Sequence, residues 1–166
     1  MSIQGPSLGR WGRQRRAASG IPGHRAPPAE VFRFVATDHF QNHPKWDSAV
    51  TSITQTSPGA MGVGTTARLV RTDRGRRVEG TMEVTEYQPV SSFTEVSRFG
   101  PFTLHARARL VPVAPASTRL ELVIDTHARG VIRLLLPLMK GTFRKTMARS
   151  LRSIKEQVEA TAPPMT

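Results

Sequence analysis

The sequence predicts an α+β domain in which a curved antiparallel sheet of six to seven strands wraps around one long C-terminal helix. Six strand-like segments fill residues 50–127, and a single helical pattern covers residues 129–159. Apolar and polar residues alternate along the segments, with tight turns between them, which is typical of an antiparallel meander with one apolar face. A helix lying across that face would enclose either a packed core or a cavity for a ligand.

The chain before the sheet divides into a leader and two short helices. Residues 1–23 combine glycine, proline and arginine with little apolar periodicity, so a flexible basic leader is predicted. Pro28 and Glu30 then favour a helix start, because proline fits the first turn and a carboxylate suits the positive helix end. A second short helical turn is predicted over residues 43–49. The domain is expected to span residues 24–160, with a disordered tail over residues 161–166.

The six strand segments are separated by turns that contain glycine or proline. They cover residues 50–56, 65–71, 76–87, 92–99, 102–113 and 118–127. In the last segment Leu120, Leu122 and Ile124 share one face, while polar and charged residues dominate the other. The fifth segment separates an apolar face from a basic face in the same way. The apolar faces are expected to point toward the final helix.

The final helix is predicted to run from Arg129 to Glu159 with one apolar and one basic face. Pro137 and Gly141 are expected to kink its first turns, or to divide a short lead-in helix from the main one. The apolar residues recur at three- and four-residue steps, and they are Ile132, Leu135, Leu136, Met139, Phe143, Met147, Leu151, Ile154 and Val158.

Composition excludes several classes of site and suggests one kind of surface contact. The chain has no cysteine, which rules out disulfides, thiolate catalysis and cysteine metal sites. Its net charge of +12 lies mainly in the leader and on the final helix, and such surfaces favour weak contact with an anionic membrane. No aromatic residues are interleaved with the basic ones to indicate nucleic-acid binding. The most apolar run, residues 131–139, is too short to cross a bilayer, and a cytoplasmic location is expected.

Few polar residues qualify as catalytic or metal-binding candidates. His39 and His43 have a spacing that suits a metal ion on a helix, but Pro44 is expected to break that helix, so no metal site is predicted. Glu95 lies in a segment whose alternation does not settle which face it occupies. If it points inward, Glu95 is the candidate for a polar anchor or for a general acid/base with a raised pKa.

Five short strings follow one another in a characteristic order. They are APPAEVF at 26–32, PKWD at 44–47, GVGT at 62–65, GTMEVTEYQP at 80–89 and GPF at 100–102. With the long final helix, over about residues 24–160, they resemble the SRPBCC superfamily, the helix-grip proteins that include START lipid-transfer domains and polyketide cyclase/dehydrases. Such proteins normally begin with a strand. Residues 17–24 suit one poorly because of their glycines and proline, so either the first strand is short and irregular or the start is misassigned.

The resemblance implies binding or carrying of a hydrophobic small molecule, lipid- or polyketide-like, in a cavity between the sheet and the C-terminal helix. Two alternatives stay open, a polyketide cyclase/dehydrase-type enzyme using the same pocket and an accessory domain with a filled pocket. No cofactor is implied, and neither the ligand nor the oligomeric state follows from the sequence. The residues expected to line the cavity are Phe34, Trp46, Leu69, Met82, Val84, Phe93, Leu104, Ala106, Ala108, Leu122, Ile124, Leu136, Met139, Phe143 and Met147.

Overall fold

A computed structural model describes residues 17–20, 24–73, 75–130 and 136–161, and for residues 17–20, 136–140, 142 and 143 it describes the backbone only. These residues form a seven-stranded sheet in the order β1-β7-β6-β5-β4-β3-β2, with every neighbouring pair antiparallel. The predicted antiparallel α+β fold is therefore confirmed. The strands are β1 Ala17–Gly20, β2 Val50–Gln55, β3 Thr66–Asp73, β4 Arg76–Gln88, β5 Ser92–Phe99, β6 Phe102–Ala114 and β7 Ser117–Ala128.

The helices come in one group before β2 and one long helix at the end. They are α1 Pro28–Phe32, a π-helical turn Arg33–Thr37, α2 His39–Trp46 and α3 Leu136–Thr161. As predicted, Pro28 lies in the first turn of α1, where no N–H is needed. The π-helical turn closes when the Asp38 N–H donates to the Arg33 carbonyl over 2.8 Å. Such turns occur often at functional sites.

The final helix begins later than the sequence predicts. A start at Arg129 is wrong, because β7 continues to Ala128 and the Arg129 N–H donates to the Pro101 carbonyl between β5 and β6. That bond keeps Arg129 at the end of the sheet. From Leu136 the helix runs as one element through Gly141 to Thr161. Residues 131–135 lie outside the described part of the chain.

The first strand is real, and the predicted boundary of the leader is wrong for this stretch. Ala17–Gly20 pairs with β7, with Ala17 opposite Ile124 and Gly20 opposite Glu121. Further along, the backbone of His24 exchanges hydrogen bonds with Thr118. Glycine weakens a strand mainly through entropy, which an edge position next to a long partner tolerates. The rest of the predicted leader, residues 1–16 and 21–23, lies outside the described residues.

Removal of β1 should therefore destabilise the domain. A truncation that lacks residues 1–23 is expected to melt about 4–8 °C below the full chain, or about 2 kcal/mol, because it leaves the edge of β7 unpaired. A truncation that lacks only residues 1–16 keeps β1 and serves as the matched control. Thermal melting by circular dichroism compares them, and equal midpoints for the two truncations would show that β1 contributes nothing.

Two apolar clusters cover the inner face of the sheet, which is the face that carries Val84, Phe93 and Ala108. The larger cluster packs α1 and α3 against β4 to β7, and α3 contributes the buried residues Met147, Leu151, Ile154 and Val158, as their spacing predicts. Each such side chain stabilises the fold by roughly 1.5–3 kcal/mol. The smaller cluster lies toward β2 and β3 and contains Phe40, Val50, Ala67, Leu69, Met82 and Phe99.

Candidate functional site

Three ionisable side chains meet inside the fold where the two apolar clusters adjoin. His39 and Glu95 are buried, and His43 is partly buried beside them. Their nearest ligand-type atoms all lie within 4.8 Å of one another. The His39 ring packs on Phe93 of the larger cluster and on Phe40 of the smaller one, with ring centroids 5.0 and 6.0 Å apart. A polar group in such surroundings needs internal partners.

The two histidines share one side of α2 because they are one helical turn apart. The expectation that Pro44 breaks this helix is wrong, since α2 runs from His39 to Trp46 with Pro44 inside it. Proline removes one hydrogen bond, to the Phe40 carbonyl, and the helix ends two residues later. The helical spacing of His39 and His43 therefore survives. The third residue of the group comes from β5, far along the chain.

Glu95 points inward, into a row of apolar residues across four strands. On the inner face it lies beside Val84 of β4 and Ala106 of β6, and Ala106 in turn lies beside Ile124 of β7. Only 5% of Glu95 is exposed to solvent. Glu95 therefore occupies the inner face of β5, a point that the alternation in the sequence does not decide. Whether Glu95 acts on a ligand stays a proposal.

The hydrogen bonds around His39 identify which ring nitrogen faces the group. His39 Nδ1 lies 2.7 Å from the Val35 carbonyl oxygen, which can only accept, so Nδ1 carries a proton and donates it. His39 Nε2 then faces two partners. It lies 2.9 Å from His43 Nδ1 and 2.9 Å from Glu95 Oε2.

The pKa values follow from burial and from the charges within the group. Burial disfavours the charged form of His39, but the adjacent charge of Glu95 and the Val35 carbonyl raise its pKa. Burial likewise favours the neutral acid of Glu95, yet the adjacent charge of His39 lowers its pKa. The raised pKa expected for an inward Glu95 is therefore wrong, because a cation lies against it. Burial, and then the charge of His39, lower the pKa of His43 to about 3.

Trp46 closes the group on the side of α2. Its ring stacks on His43, with centroids 5.1 Å apart and planes 18° apart, and it also touches Phe34. Trp46 is only partly buried. It thus covers the histidines and leaves part of its own surface exposed. This position is compatible both with sealing the core and with lining a cavity mouth.

Four apolar residues on the inner face of β6 and β7 are less covered than their neighbours. Leu104, Ala106, Leu122 and Ile124 are partly exposed, whereas Ala108, Leu110 and Leu120 on the same strands are buried. We call these four residues the open strip. The buried positions lie under the C-terminal half of α3, in the larger cluster. The open strip adjoins Glu95 through Ala106.

The predicted cavity residues fall into three groups. Val84, Phe93, Ala108 and Met147 are buried in the larger cluster, while Leu69 and Met82 are buried in the smaller one. The partly buried ones are Phe34, Trp46 and the open strip. The side chains of Leu136, Met139 and Phe143 lie outside the described residues. The structure thus brings Ala106 of the open strip and Trp46 beside the His39–Glu95 pair. Phe34 is partly buried against Trp46, and the buried residues of the set lie in the packed core.

Charge on the outer surfaces is distributed partly as the sequence predicts. On α3, Arg144, Lys145, Arg149 and Arg152 are exposed. Toward its C-terminal end, Lys155 pairs with Glu159 over 3.9 Å. Contact of this basic face with an anionic membrane surface stays a prediction. Across the part of the chain that the structure describes, no helix is both long and apolar enough to cross a membrane.

Comparison with known proteins gives a family match and several matches of fold. A sequence model described as polyketide cyclase/dehydrase and lipid transport matches residues 24–159. The aromatase/cyclase Zhui from Streptomyces sp. R1128 has 12% identity and a TM-score of 0.73, over 90% of this chain and 96% of that one. A START superfamily protein from Mycobacterium smegmatis has 16% identity and a TM-score of 0.71, over 89% and 99%.

A protein from Thermus thermophilus has 22% identity and a TM-score of 0.69, over 89% of this chain and 98% of that one. At such low identities these structures show a shared fold. Among curated proteins none matches this chain.

Proposed function

The chain belongs to the polyketide cyclase/dehydrase and lipid transport family, and we propose that it binds a hydrophobic small molecule between the inner face of the sheet and α3. The observation that carries the proposal is the open strip. A packed core would bury these apolar positions as fully as it buries Ala108 and Leu120. Partly exposed apolar surface inside a fold is the usual lining of a small-molecule site.

The position of the polar group supports an amphipathic ligand. Ala106 of the open strip lies directly beside Glu95, and Glu95 lies against His39. A few buried polar groups at the end of an apolar pocket orient a ligand, because a polar atom of the ligand finds partners only there. An apolar chain would occupy the open strip, and its oxygen-bearing end would face the His39–Glu95 pair.

A second candidate function, a cyclase/dehydrase-type enzyme, is favoured by the same buried pair. An acid and a base held 2.9 Å apart beside an apolar pocket can move protons on a polyketide-like chain. An entirely apolar lining would have favoured a carrier without chemistry. Loss of water from a β-hydroxy thioester, followed by absorbance, separates an enzyme from a carrier that only binds the molecule.

Substitution in the open strip tests the binding proposal. Ile124→Asn places an amide in the pocket and is expected to weaken binding of an apolar fluorescent probe at least about tenfold, since burying an unpaired amide costs about 1–3 kcal/mol. Val113→Asn is the matched control, because Val113 is an exposed strand residue, 58% accessible, at the far end of β6. A fluorescence titration in which both variants bind like the wild type, or lose binding equally, would contradict a site at the open strip.

A further inference from the structure

One buried acceptor in the group formed by His39, His43 and Glu95 lacks a hydrogen bond. Nδ1 of His39 donates to the Val35 carbonyl, so Nε2 is the ring nitrogen that faces the other two side chains. The geometry of a hydrogen bond joins Nε2 to His43 Nδ1 over 2.9 Å. Glu95 Oε2 is equally close to Nε2, yet it has no partner with hydrogen-bond geometry among the described residues.

A carboxylate oxygen without a hydrogen bond is unfavourable in the core, even beside a charged partner. Glu95 is more than nine-tenths buried, and a buried polar atom without a hydrogen bond lowers the stability of the fold. The oxygen points at the two imidazole nitrogens rather than toward solvent. Such an orphaned atom is explained when a ligand is bound to it.

The positions of the three side chains suit a metal ion. Tetrahedral zinc with bonds of 2.0–2.1 Å holds its ligand atoms about 3.3 Å apart. His39 Nε2 lies 2.9 Å from each of its two partners, and all three ligand atoms lie within 4.8 Å. To admit the ion, the two 2.9 Å separations would widen by about 0.4 Å, and the third, which is at most 4.8 Å, would close by up to about 1.5 Å. Two imidazoles and one carboxylate are a common ligand set for Zn²⁺ and Fe²⁺.

The surroundings already orient the ligands as metal sites do. A metal-binding histidine usually donates its second N–H to a carbonyl or carboxylate, which fixes the ring and its tautomer. The Val35 carbonyl does this for His39. Trp46 stacks on the His43 ring and restricts its rotation. The site is thus built from one helix, one strand and a backbone carbonyl of the π-helical turn.

We propose that His39 Nε2, His43 Nδ1 and the Glu95 carboxylate bind one divalent transition-metal ion, for which Zn²⁺ is the best match. No fourth histidine, aspartate or glutamate joins the group among the residues described. At least one coordination position is then left for a water molecule or an oxygen of a bound molecule, as in catalytic zinc sites. The metal site goes beyond the proposed binding of an apolar molecule and does not depend on it.

Metal titration of tag-free, chelator-treated protein tests the proposal. Co²⁺ is expected to give a visible spectrum that saturates at one ion per chain, and Zn²⁺ should displace it. At 100 times its dissociation constant, Zn²⁺ is expected to raise the melting temperature by about 5–10 °C. His43→Ala and Glu95→Gln should each weaken binding at least about 100-fold, at or beyond what loss of an outer partner costs.

The matched control is a pair of histidines on the sheet that takes no part in the proposed site. His105 and His127 lie on the outer face with ring centroids 5.5 Å apart, and the double variant His105→Ala/His127→Ala should bind metal like the wild type. His43→Ala keeps the His39–Glu95 pair, so it serves if Glu95→Gln does not fold. Absence of stoichiometric binding, or binding that is lost in the control and kept in His43→Ala, would overturn the proposal. Binding of an apolar fluorescent probe by the same variants tests separately whether the open strip is a binding site.

Discussion

Replacement of Glu95 by alanine is expected to lower the free energy of unfolding by about 3–5 kcal/mol, measured in a metal-chelating buffer at neutral pH. The reason is that His39 is buried and its pKa is raised mainly by the charge of Glu95, against the effect of burial. Without that partner the core holds either an uncompensated cation or a neutral ring forced to give up its proton. Denaturant unfolding gives the value directly.

Two controls show whether the loss comes from the buried pair. Glu79→Ala removes a carboxylate that pairs with Arg68 and Arg77 on the exposed surface, and it should change stability far less. The double variant His39→Leu/Glu95→Leu removes both charges and should recover most of the lost stability. A loss below about 1 kcal/mol for Glu95→Ala, or no recovery in the double variant, would contradict a buried ion pair.

Ala108→Leu and Ala106→Leu are expected to affect different properties, stability in the first case and probe binding in the second. Ala108 is buried in the larger cluster under α3, so Ala108→Leu should overpack the core and destabilise the protein by about 1–3 kcal/mol. Ala106 belongs to the partly exposed open strip, two residues away on the same face. Ala106→Leu should leave stability nearly unchanged and weaken uptake of an apolar probe about tenfold, which corresponds to about 1.4 kcal/mol.

Each alanine variant is the control for the other, because the substitution, the strand and the face are the same. Unfolding and probe titration are measured on both. If Ala106→Leu proves as destabilising as Ala108→Leu and probe binding does not change, the space beside Ala106 is filled. The chain would then be the accessory domain with a filled pocket that the sequence also allows.

Most of the fold follows from local patterns in the sequence. Alternation along residues 92–99 gives β5 its observed bounds, and the other central strands differ by a few residues at their ends. A helix start at Arg129 is wrong because the Arg129–Pro101 hydrogen bond, which keeps this residue at the end of the sheet, joins segments that are far apart in the chain. The sequence leaves the first strand open, and β1 is the short strand that it allows, because pairing with β7 overrides the poor strand propensity of Ala17–Gly20.

The polar site was predictable only in part. The spacing of His39 and His43 was visible, and so was Glu95 as an isolated carboxylate in a strand. Their meeting depends on the register of β5 with β4 and β6, which fixes the inward side of Glu95. It also depends on Pro44 lying inside a helix, against its usual tendency. The contact of Glu95 with the two histidines joins residues that are far apart in the chain, so no local sequence pattern predicts it.

Nuclear Overhauser contacts between a bound apolar probe and assigned methyl groups test the central claim most directly. Binding between the sheet and α3 predicts contacts to the open strip, with Leu104, Ala106, Leu122 and Ile124 nearest the probe. Contacts to the exposed Val63 and Val113, or no bound probe at all, would contradict the claim.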